Sequence, residues 1–134
     1  MRRFLAISVV ALAAAGCAHG ASGSGSGGSD KGHLQLSQKI VGQLYVEGSA
    51  GYVSVSDGSK DVYSGSLSKP VTIDLDSGTY TINSYQRLCI GNCGHLGSRI
   101  DKCSASVDVS ANSTTAATIE LTPAKNSCAI AIPA

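Results

Sequence analysis

The chain has 134 residues and a formal net charge of +1 at pH 7, from ten Lys and Arg against nine Asp and Glu. So even a balance excludes the basic surface that nucleic-acid binding needs, and the length suits one folded domain and no more. There is no Trp, one Phe and five Tyr, so any core rests on Val, Ile, Leu and Ala and lacks the area that large aromatic rings bury.

At the N-terminus, Met1, Arg2 and Arg3 make a basic start, Phe4 to Ala15 is an apolar run broken only by Ser8, and Ala14-Ala15-Gly16-Cys17 closes it with small residues. The run is too short to span a bilayer as a helix. Its three regions follow the order of a secretory signal peptide, expected over residues 1–16. The segment ending in Cys17 resembles the lipobox of bacterial lipoproteins. That resemblance implies cleavage before Cys17, a diacylglycerol thioether on its sulfur, and an exported protein held by lipid on the extracytoplasmic side of the cell membrane.

Residues 17–32 follow as a tether. From His19 to Gly32 the chain is almost all Gly, Ser and Ala, with Asp30 and Lys31 near the end. Such a composition buries too little apolar surface to offset the entropy of ordering. Its expected r.m.s. reach is roughly 20 Å, which holds the folded part near the membrane. Without Arg2 and Arg3 the charge balance is −1, so attachment rests on acyl chains and not on a basic patch.

Residues 33–134 are expected to form the folded domain. Apolar residues alternate with polar ones in Val71-Thr72-Ile73-Asp74-Leu75-Asp76, over 105–109 and over 117–121, the period of strands with one dry and one wet face. Similar stretches run over 40–46, 52–56, 61–67 and 79–86, separated by turn signals at Glu47-Gly48, Asp57-Gly58, Ser77-Gly78 and Ala111-Asn112. Seven short strands at regular spacing, with no amphipathic helix, predict an all-β protein: a single seven-stranded antiparallel β-sandwich without α-helix. Gly42-Gln43-Leu44-Tyr45-Val46 and Ile73-Asp74-Leu75-Asp76-Ser77-Gly78-Thr79-Tyr80-Thr81-Ile82 resemble the transthyretin-like or carboxypeptidase-regulatory-like sandwich, in which Gly-x-Tyr opens a strand after a Gly turn. The segment around Cys89 and Cys93 is similar to one in small uncharacterised actinobacterial exported proteins. Neither resemblance implies a catalytic residue.

Cysteine use is concentrated in Arg87-Leu88-Cys89-Ile90-Gly91-Asn92-Cys93-Gly94-His95, followed by Cys103 and Cys128. Antiparallel connectivity is expected to bring these four thiols to one pole. In an exported, thinly cored domain, four cysteines beside Cys17 read as two disulfides. Of the three possible connectivities, the expectation is Cys93 with Cys103, closing a long loop, and Cys89 with Cys128, tying the tail. The alternative is a zinc or thiol-redox pole of Cys89, Cys93, His95, Cys103 and Cys128. Against it, only one pair has the close spacing of structural zinc ligands, and the Cys-x3-Cys spacing with no helix does not suit a working dithiol.

The other candidates are plainer. Asp74 and Asp76 share a wet strand face, but the remaining ligands of a calcium loop are missing. No nucleophile elbow, phosphate-binding loop or paired catalytic carboxylates occur, so neither an enzyme nor a cofactor is expected. Tyr45 and Tyr85 fall out of phase with the apolar sets beside them. Exposed Tyr amid Ser and Asn suits contact with a glycan or an envelope protein. The sequence therefore predicts a lipid-anchored, non-catalytic interaction or accessory module of the cell envelope, with the metal or redox pole as its rival.

Overall fold

A computed structural model describes residues 30–134; Cys17, the expected signal peptide and most of the expected tether lie outside them. The described chain is all-β, with eight strands: β1 Gly32–Ile40, β2 Ser49–Ser56, β3 Asp61–Ser66, β4 Val71–Leu75, β5 Gly78–Ile90, β6 Asn92–Val109, β7 Thr114–Thr122 and β8 Ser127–Ala131. A single 3-10 turn, Pro123–Lys125, joins the last two, and no α-helix occurs among the described residues. None of the described helices is long and apolar enough to cross a membrane.

Three expectations about the strands are corrected. The first strand occupies 32–40 and not 40–46, because Leu34 and Leu36 supply a fully buried alternating face. Val41, Leu44 and Val46 are instead exposed, Val46 at 94%, and the chain turns through left-handed Gly42 and Gly48. Gly32, the last residue of the expected tether, is thus already in β1. The eighth strand comes from the C-terminal tail, where Cys128 and Ile130 alternate inward with Ser127, Ala129 and Ala131. The segment 87–103, expected as a loop, continues β5 and β6 into one long hairpin. It turns at Gly91, whose φ of 74° is a left-handed conformation that glycine adopts without steric cost.

The strands form two four-stranded sheets, ordered β4-β1-β7-β8 and β3-β2-β5-β6. The second is antiparallel throughout. The first is mixed, because β1 runs parallel to β7, from His33 opposite Thr114 to Ile40 opposite Leu121. This departs from a wholly antiparallel fold for a reason of chain order: β1 and β7 both leave the same end, and β1 fills the place between β4 and β7.

Both sheets contribute to one hydrophobic cluster. Leu34, Leu36, Ile73, Leu75, Ala117, Ile119 and Leu121 come from the first sheet; Val53, Val55, Tyr80, Ile82, Val107 and Val109 come from the second. The Gly-x-Tyr motif acquires a physical meaning here: the Tyr80 ring is buried while its hydroxyl donates to the carbonyl of Asp76 at 2.8 Å, so the polar tip is satisfied where β4 ends. At the same end, Gly32 passes so close to the β6–β7 turn that a Cβ there would collide with the carbonyl oxygen of Ser110. This end carries Gly32, the turns at 57–60 and 76–77, and the turn at 110–113. The opposite end carries the 41–48 loop, the hairpin tip, and the 67–70 and 123–126 connections.

Candidate functional site

The four domain cysteines form two separate pairs. The structure pairs Cys89 with Cys93 and Cys103 with Cys128, which replaces the expected pairs Cys93–Cys103 and Cys89–Cys128. The reason is the hairpin: once 87–103 is paired strand, Cys103 lies opposite Ser84 and Cys89 opposite Leu96. Five residues of β5, about 17 Å of strand, then separate the levels of the two bridges. Cys89 and Cys93 flank the tight turn and close on each other, with the Cys89 side fully buried beside Gly48. Cys103 joins β8 instead, linking the free edge of one sheet to the free edge of the other. His95 is exposed on the hairpin. No group of three or more His, Cys, Asp or Glu among the described residues is arranged to hold a metal ion, so the five candidate ligands are not brought together. Asp74 is engaged by His33, Nδ1 to Oδ1 at 2.6 Å.

Toward the hairpin end, the buried residues change from apolar to polar. On β5, Tyr80 and Ile82 give way to buried Ser84 and Gln86. Gln86 Nε2 donates to Gln38 Oε1 at 3.0 Å, and Ser49 Oγ donates to Gln86 Oε1 at 3.2 Å, so three strands share one amide network. Asp101 is also buried. It sits on a bulge of β6, between the Ser84–Cys103 and Gln86–Ile100 pairs, at φ 47°. Its Oδ2 accepts the hydroxyl of Tyr45. Burial first, then the bond and charge of Asp101, raise the Tyr45 pKa well above the ordinary tyrosine value. Tyr45 is therefore half-buried and engaged, and not the exposed contact residue its phase suggested. No buried side-chain nitrogen or oxygen among the described residues lacks a partner, which marks this cluster as a satisfied structural one.

The outward face of the β3-β2-β5-β6 sheet is different. Tyr85 lies opposite Tyr52, and their rings stack at 5.2 Å between centroids with 16° between planes. From the other flanking strand, the Arg99 guanidinium lies over Tyr85, its Cζ 4.4 Å from the ring centroid. One step along the strands, Ser64, Ser54, Asn83 and Ser104 form a row across all four strands. Hollows of about 570 and 400 Å³ border the stack, and both include Ser54, Asp61, Tyr85 and Arg99 in their walls. Lys102 lines the larger. Neither Arg99 nor Lys102 has a carboxylate partner among the described residues, where His33–Asp74 is the only ion pair. Arrangements of this kind stack rings and donate and accept hydrogen bonds.

Of the face residues, only Tyr85 was singled out by sequence. Tyr52 is legible from its phase, one and three positions from the inward Val53 and Val55, whereas Arg99 and Lys102 lie in a segment whose sequence hides its strand character. No known protein-family profile matches the chain, and no curated protein matches it in sequence.

Proposed function

We propose that this chain is an exported cell-envelope lipoprotein, anchored to the membrane through Cys17, whose folded part is a non-catalytic interaction module. The observation that carries this reading is the use of cysteine. Five cysteines are present; four are consumed in two disulfides within the domain, and the fifth is Cys17, at the end of the lipobox-like segment. Disulfides persist outside the cytoplasm and are most useful to domains with thin cores. Two four-stranded sheets contributing to one core favour a transthyretin-like sandwich as the architecture of the module. Its partner is an envelope protein or a glycan.

The test is membrane partition of the full chain expressed in a bacterium, with metabolic labelling by a fatty acid. The native chain is expected in the membrane fraction and labelled; Cys17→Ala is expected to be unlabelled and to leave that fraction. Retention of the variant in membranes would sink the proposal.

A further inference from the structure

We propose that the outward face of the β3-β2-β5-β6 sheet binds an oligosaccharide bearing carboxylate groups. One sugar ring stacks on Tyr52, hydroxyls bond to the Ser64–Ser54–Asn83–Ser104 row, and Arg99 with Lys102 holds a carboxylate. This rests on the envelope-module reading and names its ligand.

The stack leaves one aromatic face available. Tyr85 is flanked by Tyr52 from β2 and Arg99 from β6. Tyr52, in contrast, has only Ser66 opposite it on β3, and the hollow beside it is walled by Ser64, Gly65 and Ser66. The side chains there are too short to cover the ring. A pyranose presents a C–H face of matching size, and aromatic rings gain from contact on their negative face.

The surroundings select among occupants. A stable protein contact centres on buried apolar and aromatic anchors, but the row beside the tyrosines carries only hydroxyls and an amide. Seryl hydroxyls and the Asn83 amide both donate and accept, which matches a polyol. Asp61 lines both hollows and accepts from sugar hydroxyls at the β3 side, while the two cations stand at the β6 side, so a carboxylate is favoured at that end. Two cations beside one carboxylate are too few for a nucleic-acid backbone. Guanidinium is also the group best shaped for a carboxylate, with paired donors.

The probes are tetragalacturonate, acidic, and cellotetraose, neutral, titrated calorimetrically into the full chain purified in detergent from membranes. The acidic probe is expected to bind at least tenfold tighter than the neutral one. Tyr52→Ala is expected to weaken it about tenfold, as is Arg99→Ala combined with Lys102→Ala. Asn83→Ala, exposed and outside the core, gives a second reading should Tyr52→Ala fail to fold; it is expected to lower affinity for both probes alike. The proposal is overturned by absence of binding to either probe, by equal affinity for both, or by acidic-probe affinity unchanged in the folded variants. Membrane partition of the same preparation separates the two readings: failed binding with partition intact removes the ligand and leaves the anchor.

Discussion

Tyr45 and Asp101 are 56 positions apart, and each makes the other tolerable. A carboxylate buried without a partner is costly; the Tyr45 hydroxyl donates to it from the 41–48 loop and pins that loop to the end of the core. Tyr45→Phe removes the donor and leaves the acceptor, so a loss of about 1–3 kcal/mol is expected in urea unfolding. The pH dependence has a definite sign. The folded Tyr45 pKa lies above the unfolded value near 10, so its contribution is complete below about pH 10 and declines as pH rises above it. Absorbance difference spectra between the native chain and Tyr45→Phe are expected to show no phenolate from Tyr45 at about pH 11. A full phenolate signal there would show the pair broken.

Asp57 is the opposite case, solvent-exposed in the β2–β3 turn. Its Oδ1 accepts the Ser59 amide at 2.9 Å, the Ser59 hydroxyl at 2.8 Å and the Lys60 amide at 3.0 Å. The Ser59 bonds lead, and together these donors lower its pKa to about 2. The stabilisation is present above the unfolded pKa near 4 and is lost as pH falls toward 2. Carboxyl titration by NMR is the check: a midpoint near 4 would mean the turn is not formed as described. Asp57-Gly58 was legible as a turn because Asp favours bonding the backbone two residues on. Asp101 was not legible, because nothing in Arg99-Ile100-Asp101-Lys102 marks a bulge, and the left-handed backbone there is set by the pairing on either side.

At the scale of elements, strand periodicity was readable wherever one face is apolar, and β4, β7 and the second half of β6 appear close to their expected positions. It failed where the pattern is weak on both faces. The hairpin tip alternates Gly, Asn, Ser and His, so pairing there comes from continuation of β5 and β6 and from the bridge across the turn. The first strand was displaced because Val41, Leu44 and Val46 looked more strand-like than His33 to Lys39, although only Leu34 and Leu36 face the core.

The disulfides follow from this geometry, and a non-reducing peptide map is expected to give Cys89–Cys93 and Cys103–Cys128. The two differ in effect. Closing 25 residues of separation, Cys103–Cys128 should contribute about 3–4 kcal/mol on the chain-entropy model, against about 2 kcal/mol for the short Cys89–Cys93 loop. Replacing Cys103 and Cys128 together by Ala is therefore expected to lower the urea midpoint more than replacing Cys89 and Cys93. The reverse order would mean that the tail strand adds little to holding the sheet edges together. At the other end, Gly32→Ala drives a methyl into the Ser110 carbonyl and is expected to cost about 1–3 kcal/mol, although Gly32 reads in sequence as one more tether glycine.

For the whole molecule, the direction of β1 decides orientation. The chain reaches the domain at Gly32, and β1 carries it nine residues, about 26 Å, to the end where Val41, Leu44, Val46, Leu88 and Ile90 are exposed. Under the proposed anchor at Cys17, the polar end with the 57–60 and 110–113 turns lies nearest the bilayer. Inverting the domain to bring the apolar end down would stretch the expected tether beyond its r.m.s. reach of roughly 20 Å, at an entropic cost that dipping a few exposed side chains into the interface must offset. The two orientations predict opposite results. A fluorophore placed at Asn112 without adding a cysteine, in the full chain on vesicles carrying a headgroup-linked quencher, is expected to be quenched more strongly than one at His95. Stronger quenching at His95 would mean that the apolar end, and not the tether, sets how the domain meets the membrane. In the expected orientation the face carrying Tyr52, Tyr85 and Arg99 stands along the membrane normal, open from the side to a polymer of the envelope.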